Sequence, residues 1–152
     1  MSEQYVQKNV AFVVGSLYTA IDIENEIELS RLALLMPLLM DDRIVSNLND
    51  ETRQYSFDTL ISTNRIPLAN YNERYLSTLS LLYQAIALLL DVEAVSMRNG
   101  VLIKMDNDVL EDMNTSCKCN NLTRMCMATS KLLKMTEGKS IASMYKLLNI
   151  EL

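Results

Sequence analysis

Between Asn72 and Ile103 the hydrophobic period of the chain changes once, and the other elements are arranged around that change. Tyr75, Leu76, Leu79, Leu82, Tyr83, Ile86, Leu89 and Leu90 recur every three or four residues, the spacing that sets side chains on one helical face. Leu81 and Leu88 lie off that face, so the second half reads as apolar over most of its circumference, a central and buried helix. About 19 residues of helix span roughly 28 Å, enough to cross a small domain. Polar Ser77, Ser80 and Gln84, and the lack of a basic flank, argue against a membrane span. Ala94-Val95-Ser96-Met97 then leads through Arg98-Asn99-Gly100 into Val101-Leu102-Ile103. Asn-Gly between two short apolar runs predicts a tight hairpin, because a type I′ turn needs positive φ at both central residues. A long helix feeding a tight hairpin is how a winged helix presents its wing. It is equally a common close to a small α+β layer, and the pattern fits both.

Upstream, Val10, Phe12, Val13, Leu17, Ala20 and Ile21 predict a first helix from Asn9 to about Ile23, with Gly15-Ser16 allowing close packing. Ile21, Ile23, Ile27 and Leu29 then alternate with Asp22, Glu24, Glu26 and Glu28. That alternation fits a strand, or a helix end followed by an acidic loop. A hard-cation site is disfavoured, since no Gly and no Asp-x-Asp-x-Asp pattern accompanies it, and a solvated loop is the preferred reading. Ser30 to Met40 reads as a nearly all-apolar second helix in which Pro37 should force a kink or break, with Asp41-Asp42-Arg43 ending it. Asp50-Glu51 is expected to cap a short helix over Thr52–Ile61, turning Tyr55, Phe57, Leu60 and Ile61 inward; Ser62-Thr63-Asn64 and Pro67 follow as a loop. Asp106 to Asn121 is polar and reads as a mobile loop. Leu122, Met125, Cys126, Leu132 and Leu133 then form an apolar stripe opposite Arg124, Lys131 and Lys134. Gly138 suits the left-handed position past a helix end, and Ser140 suits an N-cap. Ile141, Met144, Tyr145, Leu148 and Leu152 line one face of the final helix. The expected fold is mainly α: a compact single-domain helical fold over residues 1–152 with one small β-hairpin, winged-helix-like or generic.

Composition narrows the chemistry. A chain of 152 residues suits one domain, and 49% apolar residues with three Gly and two Pro exclude disorder. There is no His, which removes the commonest general acid/base and metal ligand. Cys117, Cys119 and Cys126 meet no zinc spacing, and an odd count argues against a disulfide framework. Met1 opens into polar Ser2-Glu3-Gln4 with no apolar signal region, so a cytoplasmic protein with free thiols is expected. No Walker, GxGxxG or GxSxG motif is present. No catalytic residue, metal or cofactor is therefore expected. The acids Asp106, Asp108, Glu111 and Asp112 supply the enzyme alternative, a metal-dependent nuclease.

The net charge of −5 hides a split: residues 1–112 carry eight Lys/Arg against 17 Asp/Glu, and residues 113–152 six against two. Arg124, Lys131, Lys134, Lys139 and Lys146 are thus the candidate contacts to DNA or an acidic partner, with a solvated face as the plain alternative. A sequence pI of about 4.7 and the lack of a dense basic helix weigh against a free-standing winged-helix DNA-binding regulator. Leu32, Leu35, Met36 and Leu39, and the stripe of Ile141, Met144, Tyr145 and Leu148, are the candidate protein interfaces.

Read in order, Asn9-Val10-Ala11, the Leu32–Leu39 run, the Arg74…Ile86…Leu89…Val95 helix with its hairpin, the closing basic helix and Ser140–Ile150 form a recognisable series. Over roughly residues 9–150 the chain resembles the small middle component of three-component ABC-ATPase systems, similar in role to the small subunit of Lamassu-type SMC anti-phage systems. The polar insert at Asp106–Asn121 and the Cys and Met of the closing helix depart from that pattern. The resemblance implies a non-enzymatic adaptor. Its partners would be an SMC-like ABC ATPase that senses DNA and an effector, often a nuclease, with DNA touched only weakly or through the complex.

Overall fold

The chain enters a long helix, α1 (Glu3–Glu24), which begins well before its apolar stripe. Val13, Leu17, Ala20 and Ile21 of α1 are fully buried. Asn25, at φ 62°, turns it into β1 (Glu26–Glu28). Next come α2 (Leu29–Leu39), α3 (Asp42–Leu48), α4 (Phe57–Thr63) and α5 (Tyr71–Asp91). The series ends with β2 (Val95–Arg98), β3 (Val101–Lys104), α6 (Asn120–Met135) and α7 (Ile141–Leu148). This computed structural model describes residues 3–53, 56–66, 68–106 and 120–148, and the side chains of 10–53, 56–66, 68–106 and 123–148. Tyr55, Pro67, Cys117, Cys119, Asp108, Glu111, Asp112, Leu122 and Leu152 lie outside the residues whose side chains are described, and so does the expected loop beyond Asp106.

The predicted hairpin forms. Asn99 and Gly100 stand at φ 53° and 75°, both in the left-handed region the turn requires. β2 pairs antiparallel with β3, Val95 opposite Lys104 and Arg98 opposite Val101. The acidic alternation divides: Asp22 and Glu24 close α1, as the helix-end reading had it, while Glu26–Glu28 is a strand, which corrects the loop reading there; β1 pairs with the other side of β3, and the sheet order is β1-β3-β2. Ile27 faces the core while Glu26 and Glu28 face solvent, so the alternation serves a half-buried pleat. Backbone bonds from Leu29 N to Gly100 O (2.9 Å) and Lys104 N to Asn25 O (2.8 Å) extend the ladder at both ends.

Pro37 does not break α2, which runs on to Leu39. A proline leaves the carbonyl four residues back without its helical donor. The Tyr71 hydroxyl donates to the neighbouring carbonyl of Leu34, bringing a buried donor from α5 to the same turn. Asp41 does not simply end α2; it starts α3, accepting from the amides of Arg43 (2.9 Å) and Ile44 (3.3 Å). α4 is capped by Ser56, whose Oγ accepts from Thr59 N at 3.2 Å, rather than by Asp50. Asp50 instead folds back on Thr52, accepting from its amide and hydroxyl at 3.0 and 2.6 Å. Phe57 and Leu60 are buried as expected.

The central position of α5 holds, but not its all-round burial. Tyr71, Tyr75, Leu82, Ala85, Ile86 and Leu89 turn inward against α1 and α2. Leu76, Tyr83, Leu88 and Leu90 are exposed. α6 lies along α1, where the Ser16 and Thr129 hydroxyls meet at 2.8 Å and the Cys126 thiol donates to the Gly15 carbonyl at 3.8 Å. Gly138, at φ 78°, turns the chain after α6. Ser140 caps α7 by accepting from Ser143 N at 3.2 Å.

Candidate interaction surfaces

The five candidate basic residues divide in the structure. Arg124 lies at the margin of α6 that faces α3, where its guanidinium donates to Ser46 Oγ at 2.8 Å and its carbonyl accepts from Asn49 Nδ2 at 2.9 Å. Lys131, half-buried, is close enough to Asp50 to help hold that carboxyl below its usual range, behind the stronger hydrogen bonds from Thr52. Lys139 pairs with Asp58 of α4 at 3.6 Å. Lys134 and Lys146 are exposed. Two of the five, Arg124 and Lys139, thus bond to groups of their own chain, and Lys134 shares the outer face of α6 with Met127 and Ser130.

Leu32, Leu35, Met36 and Leu39 are all buried in the chain's own core. Their apolarity is therefore accounted for by internal packing. Met144 and Leu148 are likewise buried, and Ile141 and Tyr145 are half-buried against the same core. Tyr145 stacks edge-on to Tyr75, with ring centroids 6.5 Å apart and hydroxyls 3.2 Å apart, which ties α7 to α5. Burial, with the hydrogen bond shared with Tyr145, pushes the Tyr75 phenol up to about 12, so it stays neutral.

Two polar clusters had no signature in the sequence. Asp41 accepts from Arg74 at 2.8 Å and Arg43 at 3.4 Å, joining α3 to α5. Burial works to raise its carboxyl, but the bonds from the Arg43 side chain, the two α3 amides and Arg74 outweigh it and hold the group below the usual range. Arg31 of α2 donates to the Leu133 carbonyl (3.2 Å) and Thr136 Oγ1 (3.0 Å), and pairs with Glu24 at 3.5 Å. It thereby places a cation at the C-terminal end of α6, where the helix dipole favours one.

Among the described residues, α5 exposes four large apolar side chains, Leu76 at 61%, Tyr83 at 56%, Leu88 at 50% and Leu90 at 38%. Among the described residues, no three His, Cys, Asp or Glu side chains come together as a metal site. No helix among them is long and apolar enough to cross a membrane.

Residues 3–152 match the family described as ABC-three component (ABC-3C) system Middle Component 3. The chain belongs to that family. No curated protein and no solved structure matches it significantly. The Middle Component 3 match covers every described element, from α1 to α7. It agrees with the resemblance carried by the Leu32–Leu39 run and the Ser140–Ile150 segment. As a middle component the chain has other components to meet, and α5 carries exposed apolar side chains on its outward side. Sequence periodicity had assigned Leu76, Tyr83 and Leu90 to the buried side. Their seven-residue spacing, interleaved with small Ser80 and Ala87, was the available sign of a second seam.

Proposed function

We propose that this chain is a non-catalytic adaptor subunit of an SMC-like ABC-ATPase complex in bacterial anti-phage or anti-plasmid defence. It couples a DNA-sensing ATPase to an effector nuclease, in the manner of the small subunit of Lamassu-type systems, and acts in the cytoplasm. The observation that carries this reading is the match of residues 3–152 to the middle component of three-component ABC systems. The exposed apolar face of α5 agrees with it, because such surfaces on small proteins mark contacts with partners. Co-expression with the two neighbouring components tests the reading: the chain is expected to co-purify with them. The purified chain alone should leave plasmid and linear DNA intact in Mg²⁺ and Mn²⁺. Cleavage that Asp108→Ala abolishes would replace the adaptor with a nuclease.

The second reading, a winged-helix regulator, is favoured by the placement of the β2–β3 hairpin directly after α5. Charge opposes it. The one basic residue on α5 is Arg74, and it is engaged by Asp41. Tight, sequence-specific DNA binding by the isolated chain would restore that reading.

A further inference from the structure

We propose that the outward face of α5 is a helix-docking seam. Its occupant is an amphipathic helix of another component, bearing an apolar seven-residue repeat flanked by Lys or Arg. This rests on the adaptor reading, since it needs a partner subunit. Leu76, Tyr83 and Leu90 are 61%, 56% and 38% exposed and lie seven residues apart. Ser80 and Ala87, also exposed, fall between them. Large side chains at one heptad position and small ones at the other form knobs with holes between, which is what a second helix packs into. On a straight helix residues seven apart drift by about 20° per heptad, the drift that a left-handed supercoil takes up. Leu76 and Leu90 are roughly 21 Å apart along the axis, room for three layers of contact. The chain's own core has no use for this repeat, because Tyr75, Leu82, Ile86 and Leu89 already fill the inward face.

Charge selects the occupant. α5 carries three charged side chains, Glu73, Arg74 and Asp91. Arg74 is held by Asp41 at 2.8 Å. Glu73 and Asp91 are exposed, one near each end of the seam. A second copy laid antiparallel would set Glu73 of one chain against Asp91 of the other at both ends. A parallel copy would set each acid against its twin. A helix with basic residues flanking its apolar stripe gains at both ends instead, and the same acids repel nucleic acid.

The test uses the full chain co-expressed with its two neighbouring components. A photo-crosslinking residue is placed at Ser80, and separately at Ala87, and the linked peptides are sequenced. Links to a heptad segment of another component with Lys or Arg at its flanks are expected. Links to a second copy of this chain, or to non-helical segments, overturn the proposal. In parallel, the triple variant Leu76→Ser, Tyr83→Ser, Leu90→Ser should keep its melting transition and retain the partner at least tenfold less. If the wild type holds its partners and the folded variant holds them equally, the seam is wrong and the adaptor reading stands. If the wild type holds neither component, the adaptor reading falls and the seam with it. Should the variant fail to fold, the crosslinks made from the intact seam decide.

Discussion

Gly100 has nothing within 4 Å of the place a Cβ would occupy, so backbone strain alone decides what the turn accepts. Gly100→Val puts a β-branched residue at φ 75° and should cost about 1–2 kcal/mol, read as a lower urea midpoint with an unchanged slope. Asp41 couples its ionisation to stability. Its folded carboxyl titrates below the ordinary value, so it stabilises the fold above the usual carboxylate range. That contribution is lost as pH falls through the lowered folded value. Asp41→Ala should be less stable than wild type by about 1–2 kcal/mol near neutrality, and the gap should close as the pH drops below about 4. An equal gap at both pH values would deny the carboxylate its role. Asn99-Gly100 and Ser140 were legible in the sequence because each satisfies a purely local demand, for positive φ or for an N-cap acceptor. Asp41 was misread because an acid after an apolar helix serves as well to start the next helix as to end the last.

The contact between α1 and α6 includes a buried pair of hydroxyls. Thr129 donates to the Met125 carbonyl at 2.8 Å, so Ser16 is the donor in the 2.8 Å bond between them. Thr129→Val should cost about 1–3 kcal/mol, because it strands a buried hydroxyl. Adding Ser16→Ala should recover much of that loss, and a double-mutant cycle by thermal melts measures the coupling. Additive losses would show the two hydroxyls to be independent. Among the elements, α1, α6 and α7 were readable because their apolar residues are spaced for one buried side, and α2 because its unbroken apolar run, Leu32 to Leu39, is buried all round. α5 was half-readable: its leucines occupy both the inward face and the outward seam, and a hydrophobic pattern does not distinguish a core from a docking face. β1 was ambiguous because its three residues become a strand only by pairing with β3, which no local signal records.

At the scale of the molecule, the five candidate basic residues do not form one free face. Arg124 bonds to Ser46 and Lys139 pairs with Asp58, while Lys131 acts on Asp50 through its charge. Arg124→Glu, Lys131→Glu and Lys134→Glu together should leave the chain folded, at a cost of about 1 kcal/mol for the lost surface contacts. If these cations touch DNA held by the assembled complex, its DNA response should fall and its salt slope should shrink by about 0.9 per lost phosphate contact. An unchanged slope would mark them as a solvated face. The sheet carries a different consequence, one of timing. β2 and β3 are joined by two residues, whereas β1 meets β3 across about 75 residues that contain α2 to α5. The hairpin can close in microseconds, while the β1 pairing waits until a long loop has been gathered in. Ile27→Val, at the centre of β1, should therefore speed unfolding and leave the refolding rate nearly unchanged in a chevron experiment. Equal slowing of refolding would place β1 in the nucleus. By that order of events β1 is the last strand to join the sheet and the first to leave it.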